Sequence, residues 1–107
     1  MPTYANTSYV SKNVGTSAAT LTTVSSGTIA ITSLVVANTT TSPITCDVYF
    51  TRSAVDYYLV KTATVPVGGS LEVIGGNRVV LIASDALKVV SSAATSADVV
   101  VSVLTAV

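Results

Sequence analysis

The sequence predicts an all-β domain, a small two-layer β-sandwich of about eight strands with a jelly-roll or immunoglobulin-like arrangement. β-branched and aromatic residues, which suit a pleated sheet, are abundant. Short apolar runs alternate with Gly-, Ser- and Thr-rich stretches at intervals typical of sandwiches, and amphipathic helical spacing is hard to find. At 107 residues, the chain is expected to form a single domain over residues 1–107.

The first half of the chain contains four extended segments. Strands are predicted at residues 4–14, 21–24, 28–37 and 44–51. The last is the most regular, with apolar residues at alternate positions that share one face: Ile44, Cys46, Val48 and Phe50. Residues 1–14 could also serve as an extended N-terminal arm of the domain.

The second half contains five further segments. Strands are predicted at residues 55–62, 71–74, 79–82, 87–90 and 99–105. Pro66 indicates a corner, since proline cannot donate to a strand ladder. Residues 71–74 and 79–82 are predicted to pair as a hairpin, because the link that begins Gly75-Gly76 tolerates positive φ. Ser84-Asp85 is expected to form a tight turn.

The closing strand is apolar on both faces. Val99, Val101 and Val103 share one face, and the opposite face carries Val100 and Leu104. The segment 79–82 is also apolar on both sides. Because a strand of a free two-layer sandwich normally has one polar face, another subunit is expected to cover the second face, with a loop of the same chain or tolerated exposure as the alternatives.

Charge is scarce and balanced. Five basic and five acidic residues make up 9% of the chain and give zero net charge, against about 25% charged residues in ordinary domains. Neutrality favours association over a soluble monomeric state. The scattered basic residues predict no binding to nucleic acid.

One residue that enzymes commonly use, histidine, is missing. The chain has no His and one Cys, so it offers no Ser–His–Asp or Cys–His arrangement and no usual zinc site. Its carboxylates are scattered along the sequence, which disfavours paired acids and calcium binding. We therefore expect no catalysis, no metal and no cofactor, and we interpret Cys46 as a buried apolar residue.

No segment predicts a membrane span. The longest uncharged stretch, residues 13–46, is interrupted by Thr, Ser, Asn, Gly and Pro. The N-terminus lacks a basic region followed by an apolar one, so a secretory signal is not expected. The protein is expected to be made and kept in a cytoplasm, or packaged there.

Tyrosines are the best candidate contact residues. Tyr57 and Tyr58 are adjacent, so on a strand one faces inward and one outward, and an outward tyrosine can anchor an interface or stack on a sugar. Six residues are candidates for an interface: Tyr4, Tyr9, Tyr57, Tyr58, Val100 and Leu104.

Residues 57–104 carry a series of short motifs. They are the corner Val65-Pro66-Val67-Gly68-Gly69, then Gly75-Gly76-Asn77-Arg78, then Ser84-Asp85, and finally Ser102-Val103-Leu104. This series resembles small virion structural proteins of tailed bacteriophages, especially those of cyanobacterial and other aquatic hosts. The resembled pattern has Gly at the position of Ser84. The N-terminal half has no such match.

The resemblance implies a particle component that is assembled in the host cytoplasm and resides in the virion. The first expectation is a capsid decoration (cement) protein that binds between major capsid protein subunits and self-associates, commonly as a trimer. A neck or tail protein that contacts other virion proteins is the alternative within the particle. A carbohydrate-binding module for host attachment is the alternative of another class.

Overall fold

A computed structural model describes residues 4–74 and 78–106 of the chain, without the side chains of Tyr4 and Ala106. These residues contain no helix, so none that could span a membrane. They contain nine strands: β1 (Tyr4–Val14), β2 (Ala19–Thr23), β3 (Thr28–Asn38), β4 (Ile44–Arg52), β5 (Val55–Val65), β6 (Ser70–Glu72), β7 (Val79–Ile82), β8 (Ala86–Ser91) and β9 (Ala97–Ala106).

The strands form two antiparallel sheets, which confirms the predicted all-β sandwich. One sheet has the order β1-β9-β3-β6, with β7 also paired to β3, and the other has the order β2-β8-β4-β5. Early strands pair with late ones, β1 with β9 and β2 with β8. In an immunoglobulin-like sandwich the first two strands would share a sheet, whereas here they lie in different sheets, so the order is that of a jelly roll.

The core lies between the two sheets. Leu34 and Val101 from the five-stranded sheet, and Val48 and Leu87 from the other, are fully buried. Inward residues recur at every second position, as in β9, where Val99, Val101 and Val103 are buried and the residues between them are not. The period of two also predicted the core face of β4 correctly, where Ile44, Cys46 and Val48 are buried.

The predicted hairpin between residues 71–74 and 79–82 is wrong. β6 pairs with Val35–Ala37 and β7 pairs with Thr28–Ile31, so the two strands lie end to end along β3 rather than side by side. The linking residues 75–77 lie outside the described part of the chain. A glycine-rich link allows the chain to change direction, but it does not fix which strands pair. Here β6 and β7 both pair with the longer strand β3.

The predicted turn at Ser84-Asp85 is present. The amide of Asp85 donates to the carbonyl oxygen of Ile82 at 3.0 Å, which closes a four-residue turn. Ser84, the third residue of this turn, has a φ of 77°. Turns with positive φ at this position favour glycine. Ser84 therefore has a backbone conformation that is usual for glycine and strained for a residue with a Cβ atom.

Candidate assembly surface

The outward side of the five-stranded sheet is apolar and exposed. Val10 is 72% exposed, Val80 51%, Val100 47% and Ile82 43%. Two half-buried residues, Val35 and Leu104, lie on the same side. We call these six residues the outer apolar face: Val10, Val35, Val80, Ile82, Val100 and Leu104. Since Val10, Val80, Val100 and Ile82 are exposed, no described loop of the chain covers this second apolar side of the sheet.

Strand register places these residues side by side. Val10 of β1 is directly opposite Val100 of β9, and Val100 is directly opposite Val35 of β3. On the same face, Leu104 lies opposite Ala30, and Ala30 lies opposite Val80. Directly opposed side chains in antiparallel sheets lie about 5 Å apart, so each row forms an apolar strip. A row of serines, Ser8, Ser102 and Ser33, lies between the two strips.

The charged groups of this sheet lie at its margins and are engaged with the protein. The Lys12 ammonium is 3.5 Å from the Asp98 carboxylate, and the other oxygen of Asp98 accepts the Asn13 amide hydrogen at 3.0 Å. The Glu72 carboxylate accepts hydrogen bonds from the Ser33 hydroxyl and the Leu34 amide. The centre of the outer apolar face therefore carries no charge.

The other sheet has an ordinary polar outer side. Tyr49 of β4 lies opposite Lys88 of β8, and Lys88 lies opposite Thr20 of β2. Asp47 lies on the same side, and its carboxylate accepts the Thr62 amide hydrogen at 2.6 Å. A half-open pocket of about 200 Å³ beside Asp47 is lined mainly by Thr and Ser. The two sheets thus differ in the chemistry of their outward sides.

The predicted tyrosines of β5 pair with aromatic residues of β4 on opposite sides of the sheet. Tyr57 stacks on Phe50 with ring centroids 5.4 Å apart, and Tyr58 packs against Tyr49 at 4.9 Å. Tyr57 remains about half exposed, although it shares the side of the core-packed Phe50. The Lys61 ammonium lies 4.3 Å from the Tyr58 ring centroid, on the surface where a sugar would stack.

The other predicted interface residues are divided between two surfaces. Val100 and Leu104 belong to the outer apolar face, whereas the half-buried Tyr9 packs against the core, since its partner in β9 is the buried Val101. The side chain of Tyr4 lies outside the described residues. Sequence reasoning did not assign Val10 to an interface, because its outward neighbours in β1 are polar and only pairing with Val100 reveals its surroundings.

Two side chains with reactive or charged groups, Cys46 and Asp85, are buried. Cys46 is buried, and burial raises the pKa of its thiol, with a smaller contribution from the charge of Asp47. Asp85 is buried and bonded to Arg52. Across residues 4–74 and 78–106, no three Cys, Asp or Glu side chains lie close enough together to hold a metal ion.

Comparison with known proteins supports the fold. No family model matches the sequence, and a search of curated proteins gives no match. A solved structure of Bacillus endospore appendages, which form a novel family of disulfide-linked pili, is similar with a TM-score of 0.62. The match has 16% sequence identity and covers 100% of this chain and 91% of that chain. At this identity, the likeness shows a shared sandwich fold.

Proposed function

We propose that this protein is a non-enzymatic structural subunit of a tailed-bacteriophage virion, a capsid decoration protein that binds between major capsid subunits through its outer apolar face. One observation carries the proposal: the core lies between the two sheets, yet one sheet presents uncharged apolar residues to the outside, Val10, Val80, Ile82 and Val100. Large exposed apolar patches on folded domains mark interaction sites.

The size of the outer apolar face suits a docking role. Its sheet is four strand positions wide and about ten residues long, which at about 4.8 Å per strand and 3.3 Å per residue gives on the order of 600 Å². Standard protein interfaces bury about 800 Å² per partner. The whole outward side of this sheet, with the apolar face and the serines between its rows, therefore approaches one side of such an interface.

The low charge of the chain supports dense packing of many copies. Its five positive and five negative charges sum to zero, so neighbouring copies on a particle would repel each other little at any ionic strength. The virion assignment rests on the resemblance of residues 57–104. A jelly roll is compatible with it, since this architecture is common among viral capsid domains.

Pilus formation is a second assembly role with a specific observation in its favour, because the similar solved structure belongs to pili described as disulfide-linked. The single cysteine of this chain is buried in the core. A fibre built from this protein would therefore need contacts other than disulfide bonds between subunits. This difference favours a decoration role over a pilus-like one.

Quantitative mass spectrometry of purified phage particles tests the proposal. A decoration protein is expected in copy numbers comparable with the major capsid protein, and a neck or tail protein in far fewer copies. Absence of the protein from purified particles would contradict every virion role.

A variant identifies the docking face. Val80→Asp places a charge in the outer apolar face at a half-exposed position, so the variant should fold, as checked by circular dichroism, but lose binding to undecorated shells. Thr64→Asp is the matched control, since Thr64 is exposed on the other sheet. Equal binding of Val80→Asp and wild-type protein would show that docking uses another surface.

A further inference from the structure

The two sheets have four edges, and three of them have features that hinder strand addition. Natural proteins protect edges with short strands, bulges and charged residues. The β2 edge has five residues with a register shift, and the edge formed by β6 and β7 consists of strands of three and four residues. The β5 edge has two register shifts against β4, and Thr62 there has a φ of 54°.

The fourth edge, β1, has none of these features over its first eight residues. From Tyr4 opposite Ala106 to Ser11 opposite Val99, β1 pairs with β9 without a register shift. Residues 4–11 include no charged residue and no proline. The first irregularity follows Ser11, and the first charge is Lys12.

This regular edge offers free backbone groups. In an antiparallel edge strand, alternate residues direct their N–H and C=O groups away from the sheet. The segment 4–11 is about 27 Å long at 3.4 Å per residue. Among the described residues, no other strand pairs with this side of β1. Such an edge can receive another strand by backbone hydrogen bonding.

We infer that the β1 edge docks a second copy of this chain, by antiparallel pairing of residues 4–10 with the same segment of the other copy. The inference rests on the proposed assembly role and adds the partner and the mode of contact. In a two-fold contact a surface meets itself, so a surface with charge of one sign would repel its copy. Residues 4–11 are uncharged, and the nearby Lys12 is paired with Asp98.

The side chains of β1 are compatible with self-pairing. A register centred on Thr7 places Ala5 opposite Tyr9, a small residue beside a large one, and Asn6 opposite Ser8. Ala5, Thr7 and Tyr9 are half-buried residues of the inward side, and Asn6 and Ser8 are exposed on the outward side. The pairing therefore keeps inward residues beside inward ones and joins two five-stranded sheets into one continuous sheet.

The area of the contact sets its expected strength. An edge about 27 Å long and about 10 Å deep presents on the order of 270 Å² per copy, less than the about 800 Å² of a stable complex. The dimer should therefore form weakly and depend on concentration in solution. Copies held side by side on a particle would pair more completely, because tethering raises their effective concentration.

Charge-swap variants at Ser8 test the inference by sedimentation equilibrium across a concentration series. We expect the wild-type chain to form a concentration-dependent dimer. Ser8→Lys and Ser8→Glu should each weaken it, by up to about fivefold, through repulsion between the two diagonally placed like charges, and an equimolar mixture of the two variants should restore it. Thr20→Glu, at an exposed position of the β2 edge opposite Lys88, is the matched control for Ser8→Glu and should dimerise like the wild type.

Three results would overturn the inference: a wild-type monomer at all concentrations, a dimer that neither Ser8 variant weakens, or the trimer that the resemblance implies. The particle measurement is independent of this experiment. A monomer that is abundant on particles would leave the decoration role intact and remove the β1 contact. If the protein forms the β1 dimer but is absent from particles, the β1 contact stands and the decoration role is wrong.

Discussion

Arg52, at the end of β4, holds the buried Asp85 with two parallel hydrogen bonds, from Nε to Oδ1 at 2.9 Å and from Nη2 to Oδ2 at 2.6 Å. The amide of Ile82 also donates to Oδ2, at 2.9 Å, and the carbonyl oxygen of Asp85 accepts the Val24 amide hydrogen. Asp85 thus connects the end of β4 with the end of β7, which lie in different sheets, and with the segment that follows β2. The Arg52 hydrogen bonds, more than the Ile82 amide, lower the pKa of Asp85.

The Arg52–Asp85 pair predicts how stability depends on pH. Because the pKa of Asp85 is lower in the folded than in the unfolded protein, its ionised form contributes stability that is fully present above about pH 3.9, the ordinary pKa, and is lost as pH falls through the folded pKa. Arg52→Ala removes the largest cause of this lowered pKa and leaves a buried carboxylate, so the variant should be less stable at pH 7. Its stability difference from the wild type should shrink below about pH 3.9.

Urea unfolding at a series of pH values measures this difference. Lys12→Ala is the control, since it breaks an ion pair at 3.5 Å between exposed or half-exposed groups, and exposed pairs contribute little. A constant difference between Arg52→Ala and wild type from pH 7 to pH 3 would show that the pair does not control this titration.

Ser84→Gly is expected to stabilise the protein. Ser84 has a φ of 77°, a conformation that costs a residue with a Cβ atom about 1 kcal/mol and glycine very little. The free energy of unfolding should rise by up to about 1 kcal/mol, partly offset by the greater freedom of glycine in the unfolded chain. Urea denaturation measures the change, and an unchanged or lower stability would show that the turn does not strain Ser84.

Gly68→Ala tests the same principle in the opposite direction. Gly68 has a φ of 67°, and a Cβ atom added there would meet no atom within 4 Å. Backbone strain alone should therefore lower the free energy of unfolding by about 1 kcal/mol. If the alanine variant is as stable as the wild type, the corner after Pro66 relaxes without cost.

The adjacent residues Leu81 and Ile82 should respond very differently to truncation. Leu81 is fully buried and Ile82 lies on the outer apolar face. Leu81→Ala should cost about 2–5 kcal/mol, and Ile82→Ala less than about 1 kcal/mol in the isolated protein. Thermal and urea unfolding check both values, and similar costs at the two positions would contradict the register of β7 against β3.

Cys46 should be inert in the folded protein. Burial excludes reagents from its thiol and raises the pKa, which lowers the fraction of reactive thiolate. Labelling with a thiol reagent at pH 8 should be slow in the native protein and rapid in urea. Rapid labelling of the native protein would indicate that β4 opens frequently. A change in the size of the assembled protein on adding reductant would show that disulfide bonds hold its subunits together.

Local patterns predicted the class of fold but not all strand partners. Alternation in β4 identified the inward residues, because neighbouring side chains of a strand point to opposite faces whatever the topology. In β9 it separated the two faces, but both are apolar, so it did not show which one is inward. The hairpin of residues 71–74 with 79–82 failed, because both segments pair with β3, far away in the sequence. Phe50 was predicted for the core face and does pack against the core, while remaining half-buried at the end of the sandwich.

By itself, the sequence determined that this chain is a charge-poor β-sandwich without histidine, since composition and period-two alternation are local properties. Only the tertiary structure decided which apolar residues share a surface and which strand edge is unprotected. Val10 joined the outer apolar face because β9 places Val100 beside it. Arg52 reached Asp85 because the packing of β4 and β8 brings together residues that are 33 positions apart. These relationships depend on long-range strand pairing, which no local pattern encodes.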